Sequence, residues 1–115
     1  MYLEIKKQLE LAIIRGTYKS AEKFPSINEI TEIYSCGNST AQKVLTAMHK
    51  EGTITKQKGI GYFVKPFVQK ALLEKYTVNL RLQLVHIVDE AKMLNLNRDN
   101  LVKIIDEQFG SIYSP

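Results

Sequence analysis

The spacing of apolar residues predicts a helix at the very start of the chain. Polar Glu4, Lys7, Glu10 and Arg15 fall on the opposite side from a stripe of apolar side chains at roughly helical intervals. We expect this helix to end at Gly16. The predicted apolar face consists of Leu3, Ile5, Leu9, Leu11, Ala12 and Ile13.

Two further helices are predicted around a tight turn. Ser26 and Glu29 have the spacing of a capping box, in which each side chain bonds to a free backbone amide of the other residue. The next helix begins near Asn38 and ends at Gly52, a residue suited to a left-handed cap. The expected inward residues are Ile27, Ile30, Ile33 and Tyr34 before the turn Ser35-Cys36-Gly37, and Ala41, Val44, Leu45 and Met48 after it.

From Thr53 onward the pattern alternates, which is typical of strands. Ile54 is expected to face inward, the stretch Lys56-Gln57-Lys58 is polar, and Tyr62-Phe63-Val64 returns after a turn that contains two glycines. The sequence therefore predicts a two-stranded hairpin with a basic tip. Pro66 cannot donate to a continuing ladder, so we expect a domain boundary between residues 1–66 and 67–115.

The rest of the chain predicts a long helix over residues 68–94 and a shorter one that begins after Asn97 and ends at Gly110. The long helix has two apolar stripes, more than one small domain can cover, so part of its surface is expected to meet a second copy of the chain. A purely intramolecular core is the alternative. The residues expected to mediate dimerisation are Tyr76, Leu80, Leu84, Ile87, Leu101 and Ile105.

Length and composition exclude several classes of protein. One hundred and fifteen residues suffice for one core or a small domain with an appendage. No run approaches the roughly 18 to 20 apolar residues of a membrane span, and the first residues lack the order of a signal peptide. A cytoplasmic protein without a membrane partner is expected, and the single Cys36 fits a reducing compartment.

The net positive charge lies in the first part of the chain. Through Lys65 there are ten Lys/Arg and six Asp/Glu, a net of +4, and the remainder has six of each. An uneven distribution of this kind indicates a surface that meets phosphate, although +4 is modest for a nucleic-acid-binding domain.

The order of elements describes a winged helix-turn-helix followed by a C-terminal helical hairpin, a mostly α fold with a small β-wing. In this motif the second helix enters the major groove of double-stranded DNA, and the wing contacts the backbone or the adjacent minor groove. The alternative is that the polar residues of the second helix only face solvent and that the two glycines of the wing only form a tight turn. The candidate DNA-binding residues are Ser26, Asn28, Asn38, Ser39, Thr40, Gln42, Lys43, Lys56, Lys58, Gly59 and Gly61.

Two motifs in this order resemble the DNA-binding domain of GntR-family bacterial transcription regulators. They are Phe24-Pro25-Ser26, which matches a Leu-Pro-Ser opening, and Gly59-Ile60-Gly61-Tyr62-Phe63-Val64, which matches a Gly-x-Gly-x-Phe-Val ribbon. The resemblance covers residues 5–64 and implies a DNA-binding regulator. Family members usually carry Arg at the positions of Asn28, Asn38 and Gln42, so an A·T-leaning operator or weaker binding is expected here.

The tail is similar to the short dimerisation hairpin of the YtrA-type GntR subfamily, through residues 91–97 and 101–105. This resemblance implies a homodimer and the repression of a neighbouring transport operon. Two-fold symmetry of such a dimer predicts an inverted-repeat operator. The resemblance also implies no large domain for a metabolite, although an effector of unidentified chemistry stays open.

Neither catalysis nor a cofactor is indicated. His49 and His86 stand alone, and the sequence has no metal-binding cluster of Cys and His. We therefore expect no enzyme activity, no metal and no cofactor. Two other functions remain as alternatives: a protein-interaction module that has lost DNA binding, and a ligand sensor with a cleft lined by Tyr76, Leu80 and Phe109.

Overall fold

The computed structural model describes residues 1–110. Their elements are α1 (Tyr2–Ile14), α2 (Ile27–Tyr34), α3 (Asn38–Lys50), β1 (Ile54–Gln57), β2 (Gly61–Val64), α4 (Val68–Met93) and α5 (Arg98–Phe109). The predicted fold class is confirmed: a mostly helical chain with a two-stranded antiparallel wing and a C-terminal helical part. Residues 111–115 of the predicted tail domain lie outside the described residues.

The chain divides into two compact units, residues 1–75 and the residues from Tyr76 onward. In the first unit, α1, α2, α3, the start of α4 and both strands enclose one apolar core. Its members are Ile5, Leu9, Ile13, Phe24, Ile30, Ala41, Val44, Leu45, Met48, Ile54, Val64 and Leu72.

Both predicted helix N-caps are confirmed. The Glu29 amide donates to Ser26 Oγ at 3.2 Å, and the Ser26 amide donates to Glu29 Oε1 at 3.1 Å. Asn97 and Asn100 exchange the corresponding pair of bonds at 2.9 Å each. Each box satisfies two amides that a helix start otherwise leaves without an intrahelical partner.

The end of α3 directs the chain into the wing. Gly52 adopts φ 81°, the left-handed conformation that glycine tolerates best. The Thr53 amide then bonds back to the Met48 carbonyl at 2.9 Å, which closes a Schellman turn. Asn95 performs the same role after α4, with φ 59° and a 2.9 Å bond from the Leu96 amide to the Ala91 carbonyl.

The start of α4 packs on the first unit. Leu72 is buried in its core, and Gln69 Nε2 donates to the Ile14 carbonyl at 2.8 Å. Packing of the first unit therefore extends to Lys75, past Pro66. The functional division between residues 1–66 and 67–115 stays a prediction. None of the helices in residues 1–110 combines the length and the hydropathy that a membrane-spanning helix requires.

The solvent exposure of three residues differs from the predicted pattern. Glu10 is 2% exposed instead of solvent-facing, because α4 covers this part of α1 and brings Lys75 Nζ to 3.8 Å from Glu10 Oε2. Leu3 is exposed, since two residues before Ile5 correspond to about 200° of helix rotation. Ile33 lies at the edge of the α2 stripe and is 55% exposed.

We expect Phe24→Ala to lower the free energy of unfolding by about 3 to 5 kcal/mol, because the ring is fully buried and its loss leaves a cavity. Ile33→Ala should cost less than about 0.5 kcal/mol, since that side chain is largely exposed. Urea denaturation followed by circular dichroism measures both. Equal destabilisation by the two variants would contradict this description of the core.

Candidate nucleic-acid interface

The turn between α2 and α3 leaves the start of α3 open to solvent. Ser35 ends α2 in the left-handed conformation, with φ 51°. Cys36 is half-buried, with Sγ 3.9 Å from the Ile30 carbonyl. Gly37 is the N-cap of α3 and provides no side-chain hydrogen bond, in contrast to the boxes at α2 and α5. The first amides of α3 are therefore available to an anion.

The outward face of α3 is polar. Asn38, Ser39, Gln42 and Lys43 are exposed, and Thr40 is half-buried. These residues lie within the first two turns, opposite the fully buried Ala41, Val44, Leu45 and Met48.

Two contacts orient the longer side chains of this face. Gln42 Nε2 donates to Thr46 Oγ1 one turn further along, at 3.1 Å. Lys43 Nζ lies 5.9 Å from the centre of the Tyr2 ring on α1, a cation–π distance. Both contacts are exposed to solvent, so neither prevents the amide or the ammonium from turning toward a ligand.

The wing pairs Ile54 with Val64 and Gln57 with Gly61. Its turn consists of residues 58–60, so Lys58 and Gly59 lie at the tip and Lys56 lies on the strand below. Lys56 Nζ is 5.8 Å from the centre of the Tyr62 ring.

Tyr62 connects the wing to α3 through a ring contact. Its ring meets His49 edge-on with 6.2 Å between ring centres. The ring is half-buried between His49 and Lys56, which favours packing on the domain over stacking on sugar. His49 is exposed and contacts this ring, so it is not buried in the core.

A groove of about 720 Å³ runs between the N-terminal end of α3, the start of α2 and the wing. It gathers seven of the eleven candidate DNA-binding residues: Ser26, Asn28, Asn38, Ser39, Gln42, Lys56 and Gly61. Lys43 borders a neighbouring cleft with Tyr2, Gln42, Thr46 and Ala47. Thr40, Lys58 and Gly59 are not among the residues that line either space.

Lys23 and Ile60 line the same groove and were missed by the sequence pattern. Lys23 pairs with Phe63, and the adjacent Phe24 amide donates to the Tyr62 carbonyl at 2.8 Å. The segment before α2 therefore runs beside β2 and holds a cation at the groove. Its only sequence signal was a lysine directly before the Phe-Pro-Ser motif, in a loop without periodicity.

The wing and the chain that follows it carry positive charge without acidic residues. The stretch 52–73 has no Asp or Glu, while it contains Lys56, Lys58, Lys65 and Lys70. Glu51, just before the wing, is paired with Lys6 at 2.7 Å. The charge distribution favours a phosphate backbone as the ligand.

Two observations concern metal binding and nucleophilic chemistry in residues 1–110. No group of three or more His, Cys, Asp or Glu side chains in residues 1–110 is placed to hold a metal ion. Burial raises the pKa of the Tyr34 hydroxyl, nearby Tyr18 raises it further, and Arg15 opposes the change. A raised pKa makes this phenol a poorer nucleophile at neutral pH.

Comparison with known proteins agrees with this geometry. Residues 1–64 match the family described as bacterial regulatory proteins, gntR family. The HTH-type transcriptional repressor YtrA of Bacillus subtilis is 23% identical over 107 residues, which cover 93% of this chain and 82% of that protein.

Solved structures of similar length share the fold. YtrA from Sulfolobus acidocaldarius, a GntR-family transcription factor, is 28% identical with a TM-score of 0.52 and coverage of 94% of this chain and 86% of that one. A transcriptional regulator from Oenococcus oeni has a TM-score of 0.76 at 16% identity, with coverage of 95% and 90%. The chain belongs to the GntR family of bacterial regulatory proteins, in its YtrA-like group, and is a DNA-binding transcription regulator rather than an enzyme.

Proposed function

We propose that the chain is a homodimeric repressor that binds an inverted-repeat operator in the cytoplasm. The first unit of each copy, residues 1–75 and called the winged unit below, would bind one half-site. The observation that carries the proposal is the groove between α3 and the wing. It brings a polar helix end and a basic hairpin to the same side of one domain.

In this proposal, α3 enters the major groove with its N-terminal end toward the bases. Asn38 and Gln42 have amides that can bond in pairs to adenine, and Lys43 can reach guanine or phosphate. Thr40 can place its methyl against thymine, and the free amides beside Ser39 can bind phosphate. Ser26 and Asn28, at the start of α2, lie where the backbone would pass.

The wing grips the DNA beside this helix. Lys56 and Lys58 contact phosphates, and the glycines at 59 and 61 let the backbone approach closely. Lys23 lines the groove together with Lys56, so two cations face it from the wing and from the segment before α2.

Dimerisation is supported by the apolar surface of the second unit. Leu80 is 64% exposed and Ile87 is 50% exposed. Leu84 and Ile105 are also exposed, while Tyr76 and Leu101 are half-buried. A helical surface with this many exposed apolar side chains is stable in water when another apolar surface covers it, and a second copy supplies one by symmetry.

Repression follows if the dimer occupies a promoter and excludes polymerase. The B. subtilis relative is named a transcriptional repressor, which supports this sign of regulation. Control of a neighbouring transport operon rests on resemblance to the YtrA-type subfamily alone.

The ligand-sensor alternative has less support within one chain. Leu80 and Phe109 are 64% and 58% exposed, so these side chains do not enclose a cleft by themselves. The interaction-module alternative differs from the proposal in one respect, because it does not require the polar face of α3.

Replacing Gln42 and Lys43 together by Ala should lower affinity for the operator at least about tenfold, since a well-placed base contact contributes about 1 to 3 kcal/mol. Fluorescence anisotropy with a labelled operator duplex measures this. Lys7→Ala with Gln8→Ala is the matched control, because it removes the same two residue types from exposed positions of α1. Unchanged affinity in the α3 variant would favour the interaction module.

Selection of binding sites from random duplex DNA should enrich an inverted repeat whose half-sites lie about one helical turn apart. Its contacted bases should be mainly A·T, because Asn28, Asn38 and Gln42 replace the arginines that most family members use. Repeating the selection at two salt concentrations separates phosphate contacts from base contacts. Enrichment centred on G·C pairs would contradict the expected preference.

Leu84→Glu combined with Ile87→Glu should convert the protein to a monomer, because two carboxylates would be buried in the proposed interface. Analytical ultracentrifugation should give twice the 13.2 kDa chain mass for the wild type and the single mass for the variant. Leu3→Glu, at a similarly exposed position of α1, should remain dimeric. A monomeric wild type at micromolar concentration would refute the dimer.

A further inference from the structure

The tip of the wing carries an exposed isoleucine. Ile60 is 59% exposed and lies in the turn between β1 and β2. Its amide donates to the Gln57 carbonyl at 2.9 Å, so the turn is closed by backbone while the side chain projects away from the core. Packing within the domain therefore does not explain an apolar residue here. A lone exposed apolar residue is common, so its surroundings decide whether it has a role.

The surroundings of Ile60 match a narrow, negatively charged cleft. Gly59 and Gly61 flank it with φ 79° and 136°, and neither adds a side chain to the width of the tip. Lys58 is exposed in the same turn, Lys56 is exposed on the strand below, and no Asp or Glu occurs in residues 52–73. The tip of the wing therefore presents one apolar side chain next to two positively charged ones.

Ile60 also belongs to the surface that would face DNA. It lines the groove together with Asn38 and Gln42 of α3. When α3 lies in the major groove, the wing beside it reaches the neighbouring minor groove, where proteins frequently use apolar side chains.

We propose that Ile60 is a specificity-determining residue: it enters the minor groove beside the recognition helix and selects base pairs that have no amino group on the groove floor. This inference rests on the proposed function. Guanine places its N2 amino donor in the minor groove, whereas A·T pairs present only acceptors there. Burying that donor under a hydrocarbon side chain removes its water and supplies no acceptor.

Lys56 and Lys58 act in the same direction. Minor grooves of A-tracts are narrow and have enhanced negative potential, which attracts cations. The electrostatic attraction of Lys56 and Lys58 to the DNA is therefore strongest at A·T pairs, where Ile60 also meets no amino group. This readout would add an A·T preference to the one expected from the amides of α3, at base pairs that α3 does not touch.

The test uses the full chain and labelled duplexes that carry the inverted repeat obtained by selection. The base pairs flanking the α3 contacts are A·T, G·C, inosine·C or 2,6-diaminopurine·T. Inosine·C keeps the major-groove face of G·C without the amino group, and diaminopurine·T adds the amino group to A·T. We expect equal affinity for A·T and inosine·C, and about tenfold weaker binding, or about 1.4 kcal/mol, for the other two.

Ile60→Ala should reduce this discrimination to less than about threefold, equivalent to about 0.65 kcal/mol. Ile33→Ala is the matched control, because Ile33 is 55% exposed on α2 and does not line the groove. It should keep the full discrimination. Thermal unfolding by circular dichroism should be the same for both variants and the wild type, since neither side chain is buried.

Three results would overturn the inference. The wild type could bind all four duplexes equally, or it could bind inosine·C like G·C and diaminopurine·T like A·T, which would mean readout from the major groove. The third is a preference for A·T and inosine·C that persists in Ile60→Ala. In each of these the protein still binds the repeat tightly. Failure of the proposed function is different, because the protein would then bind none of the four duplexes.

Discussion

The buried face of α3 is the contact on which the rest of the winged unit depends. Ala41, Val44, Leu45 and Met48 are each 0% exposed and pack within one core with side chains of α1, α2 and the wing. Full burial of a side chain such as Val, Leu or Met contributes about 1.5 to 3 kcal/mol each. Because this face is fixed, the polar face on the other side of the same helix is held as a rigid array. Base recognition requires such preorganisation, since each disordered side chain would lose entropy on binding.

The wing is positioned by backbone interactions on both sides. The turn at Gly52 reverses the chain directly after α3, so that β1 begins within four residues of the helix end. On the other side, the segment before α2 bonds to β2, with the Ala21 amide on the Val64 carbonyl and the Phe24 amide on the Tyr62 carbonyl. Backbone bonds of this kind are independent of side-chain identity. The tip of the wing is therefore free to vary in sequence, and in this chain it carries Ile60.

The sequence predicts those features that depend on neighbours along the chain, and it fails where packing partners are distant. The capping box at Ser26, the N-cap at Asn97 and the inward face of α3 follow from local spacing, and the structure confirms them. Burial of Glu10 depends on the start of α4, more than fifty residues away, so no local pattern could reveal it. Lys23 was missed for the same reason, since its place at the groove is set by pairing with Phe63. The DNA-contact roles themselves depend on a partner, and they stay predictions.

The proposed dimer and the unusual polar recognition face are linked by the arithmetic of bivalent binding. Asn28, Asn38 and Gln42 offer neutral hydrogen bonds at positions where the family resemblance implies arginine, so one winged unit alone should bind a half-site weakly. In the dimer, the C-terminal units join two winged units. Once one winged unit has bound its half-site, the other binds the neighbouring half-site intramolecularly. The combined affinity then exceeds that of one winged unit by about 10² to 10⁴ without any new contact. Weak half-sites make this gain indispensable: a monomer would be released from the operator, while the dimer would remain. Any signal that loosens the apolar surface of α4 and α5 would then act on DNA occupancy without touching α3 or the wing.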